Sequence, residues 1–339
     1  MNVLFRISGG VARNTELGMG HIYRALNLAN SLKQHKVFFL LEDFGDARKI
    51  IERKGWKNII CIKRGIDWFH DYKATTDIIE NKKIDIVIVD KFGPKLSMRY
   101  LRLIKNKNKL VLITDLENYE YPVDLVINGY IGFKNTVTYN KHGAKCLLGT
   151  KYQILDISFS KKKNKGKDKF SLLATFGGFD EHNLVETFCY SLSNHINKLR
   201  TKIILGPATK KSKKIKELEK KHPKNLTITS STNDMSKEIS QSTFGICSGG
   251  ITSYEFASFK KPFAIICQYS HQIKTAQEWE KKGFAFNLGF PNKNISKRIQ
   301  KFLKMIIEKN VRYSPMNILL DGQGTKRVAL EIIKLLQKN

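Results

Sequence analysis

No run of apolar residues in this 339-residue chain reaches the roughly 18 that a membrane-spanning helix needs. The longest candidates are strand-sized pieces such as residues 86–89. The first residues, Met1-Asn-Val-Leu-Phe-Arg, carry neither a basic leader nor a long apolar stretch, so they read as a first strand and not as a signal peptide. Cysteine is scarce and scattered. Cys61, Cys146, Cys189, Cys247 and Cys267 make an odd total with no Cys-x-x-Cys pair, which argues against a disulfide framework or a zinc site and for a reducing, cytoplasmic compartment. No Asp-x-Asp occurs, so no motif announces a metal at a phosphate, and no cofactor is expected. Acidic residues are few, 30 against 60 Lys and Arg, which leaves a net charge of +30. So basic a chain gains affinity for phosphates by releasing counterions. Zinc-finger spacing, an aromatic-rich RNA-binding strand and a heptad-plus-basic region are all missing, however, and nucleic acid is not the expected partner. The densest basic run, residues 161–169, holds no aromatic and falls where a linker is expected. The positive field suits the collection of a small polyanion such as a nucleotide diphosphate.

What is present is ordinary globular material, 41% hydrophobic, in a length that suits two domains of about 150 residues. β-branched runs at 3–7, 36–41, 58–62, 85–90, 109–115 and 125–128 read as strands. Amphipathic stretches lie between them; residues 22–33 place Ile22, Ala25, Leu26, Ala29 and Leu32 on one helical face. After the basic run the pattern restarts, with strands at 170–175, 201–205, 226–229, 244–247, 263–266 and 284–288 and helices at 183–196, 212–221, 252–259 and 273–281. Alternation of this kind with unbroken apolar strands implies parallel sheets covered on both faces. The expected fold is α/β, with two Rossmann-like domains at 1–155 and 170–322, a linker at 156–169, and a helix in the final segment 323–339. Such sheets bind ligands at the carboxyl ends of their strands, which puts the expected site in a cleft between the domains.

The most informative stretch follows strand one: Ser8-Gly-Gly-Val-Ala-Arg-Asn-Thr-Glu-Leu-Gly-Met-Gly-His-Ile-Tyr-Arg24. Gly18-Met-Gly20 imitates the start of a dinucleotide fingerprint, with Glu42 or Asp43 as a ribose acid, but Tyr23 stands where the third glycine belongs. What the stretch supplies instead is a close approach to a ligand at Gly18 and Gly20, then His21 at a helix start. There the helix dipole disfavours imidazolium and suits a base. Arg24, one turn on, shares its face and is placed to meet an anionic group. In the second half, Phe176-Gly-Gly-Phe-Asp-Glu-His-Asn-Leu184 puts Gly177 and Gly178 between a strand and a helix, where backbone N–H groups hold phosphate oxygens. Ser248-Gly-Gly-Ile-Thr-Ser-Tyr-Glu255 repeats the arrangement with Ser248, Gly249 and Gly250, and Glu255 is placed to accept hydrogen bonds from ribose hydroxyls.

Gly18-Met-Gly-His-Ile-Tyr-Arg24 resembles the Gly-x-Gly-His-x-x-Arg signature of the UDP-sugar hydrolases of pseudaminic acid biosynthesis, which release 2,4-diacetamido-2,4,6-trideoxy-L-altrose from UDP. Further agreement lies at Asp85-Ile-Val-Ile-Val-Asp90, residues 149–155, Gly177-Gly-Phe-Asp180 with Asn183-Leu184, and Trp279 with Lys281-Lys-Gly283. Residues 248–283 also resemble the nucleotide-binding half of the lipid II glycosyltransferase of peptidoglycan synthesis, whose glutamate at the position of Glu255 holds the ribose. The resemblance implies the GT-B architecture, a UDP-linked sugar as substrate, His21 as base, and His271 and Gln272 on the substrate, where the hydrolases have Asn-Gln. It also implies water as the acceptor, with an inverting glycosyltransferase as the alternative. The segment 8–17 is longer than in the hydrolases, and Thr114-Asp-Leu-Glu117 replaces a more acidic pair.

Overall fold

The computed structural model describes residues 1–10, 18–91, 97–133, 137–160, 169–207 and 209–337. Most of the expected long loop at 8–17 and of the basic linker therefore lies outside the described residues. The chain forms two compact units, Met1–Ser160 with Leu319–Asn339, and Lys161–Ile318.

The first unit runs β1 (Asn2–Gly9), α1 (Gly20–Ser31), β2 (Lys36–Asp43), α2 (Ala47–Arg53), β3 (Ile59–Ile62), α3 (Trp68–Lys82), β4 (Ile86–Asp90), α4 (Met98–Lys105), β5 (Lys109–Ile113), β6 (Leu125–Asn128) and β7 (Lys145–Leu148). Its seven strands are parallel in the order β3-β2-β1-β4-β5-β6-β7. The order reverses between β1 and β4, and the carboxyl ends there are the place where such sheets take ligands. Every residue of β4 is buried, as a strand covered on both faces requires. Alternate residues serve alternate cores. Phe5, Ile7, Ile86 and Ile88 pack with α1 and α2, while Leu4, Val87 and Val89 pack with α3 and α4.

The second unit runs β8 (Phe170–Thr175), α5 (Leu184–Ser193), β9 (Thr201–Ile204), α6 (Lys213–Lys221), β10 (Leu226–Thr229), α7 (Met235–Ser240), β11 (Ser242–Ser248), α8 (Ile251–Ser258), β12 (Phe263–Ile266), α9 (His271–Lys281), β13 (Ala285–Asn287) and α10 (Ile295–Ile307). Its six parallel strands take the order β10-β9-β8-β11-β12-β13, reversing between β8 and β11. The four-residue β7 and the helices α2, α3, α4, α7 and α10 add to the elements read from sequence. For α10 the signal was present, since Ile295, Ile299, Phe302, Leu303 and Ile306 recur at helical spacing and are all buried.

The expected boundaries shift at the C-terminus. The chain re-enters the first unit at Leu319, and α11 (Gly324–Gln337) adds Val328, Ala329 and Ile332 to the core that holds Ile22, Ala25 and Ala29 of α1. A helix with one apolar stripe has to bury it, and α1 offers the matching face. Gly324 seats the helix, because a Cβ there would lie 2.1 Å from the Gln153 carbonyl oxygen. Thr325 Oγ1 donates to Leu155 O at 2.5 Å, and Lys145 pairs with Glu331. Ile332 is fully buried, so Ile332→Ala is expected to destabilise the first unit by about 2–5 kcal/mol. Hydrogen exchange should then show lost protection in β1, β2 and α1, with the second unit unchanged. Loss confined to the second unit would refute this placement of α11.

Candidate active site

The first helix starts on glycines of two kinds. Gly9 and Gly10 are dictated by the fold: a Cβ on Gly9 would sit 2.8 Å from Ile22 Cγ1, and Gly10 has φ +150 with Phe44 C at 2.6 Å. Gly18 and Gly20 are not. Neither has a positive φ. Among the described residues, a Cβ on Gly20 meets nothing within 4 Å, and one on Gly18 meets only Gly20 N at 3.9 Å.

His21 is the second residue of α1. Its Nδ1 lies 2.7 Å from Asp90 Oδ1. A carboxylate only accepts, so Nδ1 carries the proton, and the neutral ring bears its lone pair at Nε2. Arg24 donates Nε to Asp90 Oδ2 at 2.8 Å and Nη2 to Asp90 Oδ1 at 2.6 Å, and Nη1 to Asp115 Oδ1 at 2.6 Å. The 3.2 Å approach of Arg24 Nη2 to His21 Nδ1 sets two N–H groups face to face and is a contact without a hydrogen bond. Burial opposes the charge on Asp90, but Arg24 and then His21 outweigh it and hold the carboxyl below its ordinary range. Burial also opposes the charge on Arg24, and Asp115 and Asp90 together hold its pKa well above the usual value.

Arg24, expected to meet an anionic group of the substrate, has its guanidinium turned onto two carboxylates and is 9% exposed as a residue, so in this structure it positions Asp90. Asp90 was readable as a partner. It continues the phase of Ile86 and Ile88, which face α1, and ends the strand beside β1 with Ile7 opposite it. The acids of the dinucleotide alternative are both committed. Glu42 takes Gly65 N–H at 2.8 Å, Ser8 Oγ at 2.9 Å and Arg6 Nη2 at 3.2 Å. Asp43 takes the N–H groups of Gly45, Ala47 and Arg48 at the start of α2.

In the second unit, Gly177 follows β8 with φ +82, and Gly206 must lack a Cβ because one would lie 2.1 Å from Gly177 O. The start of α5 is already filled. Asp180 accepts Leu184 N–H at 2.7 Å and Val185 N–H at 2.8 Å. Burial pushes the Asp180 pKa up despite these two donors. The helix end expected to hold phosphate thus holds a carboxylate. Gln268, which nothing in the sequence marks, ties the two glycine loops together. Its Nε2 donates to Phe176 O at 2.5 Å and Ser248 Oγ at 2.9 Å, and its Oε1 accepts Glu181 N–H at 3.1 Å. Gln272, expected on the substrate, is buried and accepts Gln268 N–H at 2.9 Å and Gly249 N–H at 3.3 Å. It shapes the loop, and Gly249 N–H is spent on it. Gly250 caps α8, and a Cβ there would meet nothing within 4 Å among the described residues. Glu255 is partly buried one turn into α8; burial first and then Glu255 raise the Cys247 thiol well above its usual pKa. His271 opens α9, its ring stacked with Tyr269 at 5.7 Å between centroids. The structure therefore groups His21 and Arg24 with Asp90 and Asp115 in one unit, and Gly177, Ser248, Gly249 and Gln272 around Gln268 in the other.

No family model matches the chain. An uncharacterized protein of Methanocaldococcus jannaschii, MJ1062, is 27% identical over 286 residues, which are 79% of this chain and 57% of that protein. The chain thus spans little more than half the length of that relative. The spore coat polysaccharide biosynthesis protein SpsG of Bacillus subtilis is 24% identical over 327 residues, 92% of this chain and 93% of its own. Among solved structures, MurG of Acinetobacter baumannii superposes with a TM-score of 0.61 at 14% identity over 98% of this chain and 100% of its own. MnaA of Staphylococcus aureus with UDP gives 0.61 and 14% over 99% and 97%. These likenesses establish the two-domain α/β GT-B fold. No helix among the described residues is long and apolar enough to cross a membrane.

A carboxyl whose pKa is depressed in the folded state stabilises the fold above its unfolded pKa of about 3.9 and loses that contribution as the pH falls through the lower folded value. Asp90 and Asp71 are both of this kind. Urea unfolding should therefore give nearly constant stability above about pH 5 and a fall below about pH 4. Asp90→Asn should be less stable at pH 7 by about 3–5 kcal/mol, because Arg24 loses one buried partner, and its acid slope should be shallower. An unchanged slope would remove Asp90 from this account.

Proposed function

We propose that this protein hydrolyses a UDP-linked sugar, with His21 as general base, in the biosynthesis of a surface polysaccharide or of a nonulosonic acid of the pseudaminic type. The observation that carries the reading is the His21–Asp90 pair at the reversal point of the first sheet, beside a Gly20 that no described residue crowds. His21 Nε2 takes a proton from water, and Asp90 balances the imidazolium as it forms. The water oxygen bonds to the anomeric carbon while the bond to the phosphate oxygen breaks. UDP leaves with the electron pair, and the free (di)acetamido-deoxy sugar leaves with inverted configuration. N–H groups of Gly177, Gly178, Gly250 and the first turn of α8 face the diphosphate. In this reading Glu255 receives the ribose hydroxyls and His271 binds the substrate. Support comes from the SpsG likeness for the polysaccharide setting and from the UDP in the MnaA structure for the nucleotide. The resemblance of residues 248–283 to the lipid II glycosyltransferase favours a second reading, an inverting GT-B glycosyltransferase in which an acceptor hydroxyl takes the place of water at Nε2.

Two experiments test this. With a panel of UDP-sugars and a chelator present, the protein should release UDP and free sugar stoichiometrically without any acceptor, and His21→Asn should abolish release while binding UDP as before. Release that begins only when an acceptor is added would make the protein a glycosyltransferase. The second experiment uses Gly20→Ala. Among the described residues nothing within 4 Å opposes that methyl, so thermal stability should hold. Turnover should nevertheless drop at least about tenfold, the equivalent of about 1.4 kcal/mol in transition-state binding. Turnover equal to wild type would show that no ligand approaches Gly20.

A further inference from the structure

The face of the first sheet away from α1 holds a second set of buried charges, and the proposed reaction does not use them. Arg6, fully buried on β1, donates Nε to Asp71 Oδ1 at 2.7 Å and Nη2 to Asp71 Oδ2 at 2.9 Å, and reaches Glu42 Oε2 at 3.2 Å. Lys91 Nζ donates to Asp71 as well, and lies 5.8 Å over the ring of Tyr100. Two cations face two carboxylates, all four at most 8% exposed. Burial and then Arg6 push the Lys91 pKa down, while Asp71 works to keep its charge. Apolar residues of the same volume are often no less stable than such a cluster, so its position asks for another explanation.

Asp90 and Lys91 are neighbours in the chain, and neighbouring side chains at a strand leave by opposite faces. Asp90 goes to α1 and Lys91 to α3. The ladder holds this point from one side only. β1 pairs Ile7 with Asp90, but the pairing of β4 with β5 stops at Val89 and Leu112. A base needs its orienting carboxylate within a fraction of an ångström. We infer that the Lys91–Asp71 pair, braced by Arg6, is a positioning device that pins the end of β4 from the far face and so keeps the Asp90 carboxylate on His21 Nδ1. The inference rests on His21 being the base.

The test removes one charge of each sign, with Lys91→Met and Asp71→Asn in one chain, leaving Arg6 on Glu42. Nitrogen-15 NMR of the imidazoles, with His21 identified by the signal lost in His21→Asn, reads the tautomer and the exchange of the Nδ1 proton without any substrate. The wild type should show one Nδ1–H tautomer. The double variant should show mixed tautomers, proton exchange at least about tenfold faster, and, on any substrate turned over, a kcat about tenfold lower at unchanged KM. Lys91→Arg, which keeps a cation facing Asp71, should retain the wild-type signal. Should the double variant not fold, Lys91→Met alone carries the same measurement, since Asp71 keeps both of its bonds to Arg6. A wild-type tautomer and exchange rate in the variant lacking the pair overturns the inference. Failure of the hydrolase reading is seen separately, as a wild-type protein that releases UDP from no donor while the NMR result stands.

Discussion

The buried carboxylate of Asp90 is the constraint around which the first unit is arranged. It has no exposed surface, and an unpaired anion there would be too costly for the fold to carry. It therefore needs donors on the α1 face, and the first two turns of α1 supply them in the Arg24 guanidinium and the His21 Nδ1–H. Arg24 is itself mostly buried and needs a second anion, which draws in Asp115 just beyond β5. Charge compensation thus ties together three separate pieces of chain, the start of α1 and the ends of β4 and β5. The orientation of the imidazole follows from it. A histidine held by Nδ1 has its other nitrogen aimed away from the carboxylate, and that nitrogen is the one able to take a proton.

Much of this arrangement is legible in the amino-acid sequence. The alternation of apolar strands and amphipathic helices announces both sheets, because a strand buried on both faces can hardly be written any other way. His21 stands out by its place after a glycine pair at a helix start. Its partners are harder to read. Asp90 looks like the last letter of a strand, and only its phase with Ile86 and Ile88 says that it faces α1. Asp115 reads as strand, yet β5 ends at Ile113 and Asp115 reaches back to Arg24. Gln268 carries no pattern at all, since a glutamine after a strand is ordinary until its amide is seen to join Phe176, Ser248 and Glu181. The address of α11 is equally invisible. An amphipathic stripe says that a helix is covered, and is silent about which surface covers it.

Glycine shows most plainly where one-letter patterns stop. Gly9, Gly10, Gly206 and Gly249 are required by neighbours that a Cβ would strike, whereas Gly20 and Gly250 are required by nothing described in the protein. Both of the latter sit at the start of a helix. The helices α3, α4, α6 and α7 close their own first turns with Asp67, Ser97, Ser212 and Asp234, and Asp180 does the same for α5. α1 and α8, like α9 and α10, have neither a side-chain cap nor an acid in the first turn, but α1 and α8 also carry the uncrowded glycine. A helix start with no cap and no acid leaves donors and a positive field at that end, and a missing Cβ leaves room in front of them. The features coincide at the helix that follows the first strand of one sheet and at the helix that follows the reversal point of the other. Packing against the described residues accounts for neither position. Under the proposed function, the approach of an anionic or strongly polar ligand to the backbone accounts for both, whether water or a hydroxyl group is the acceptor.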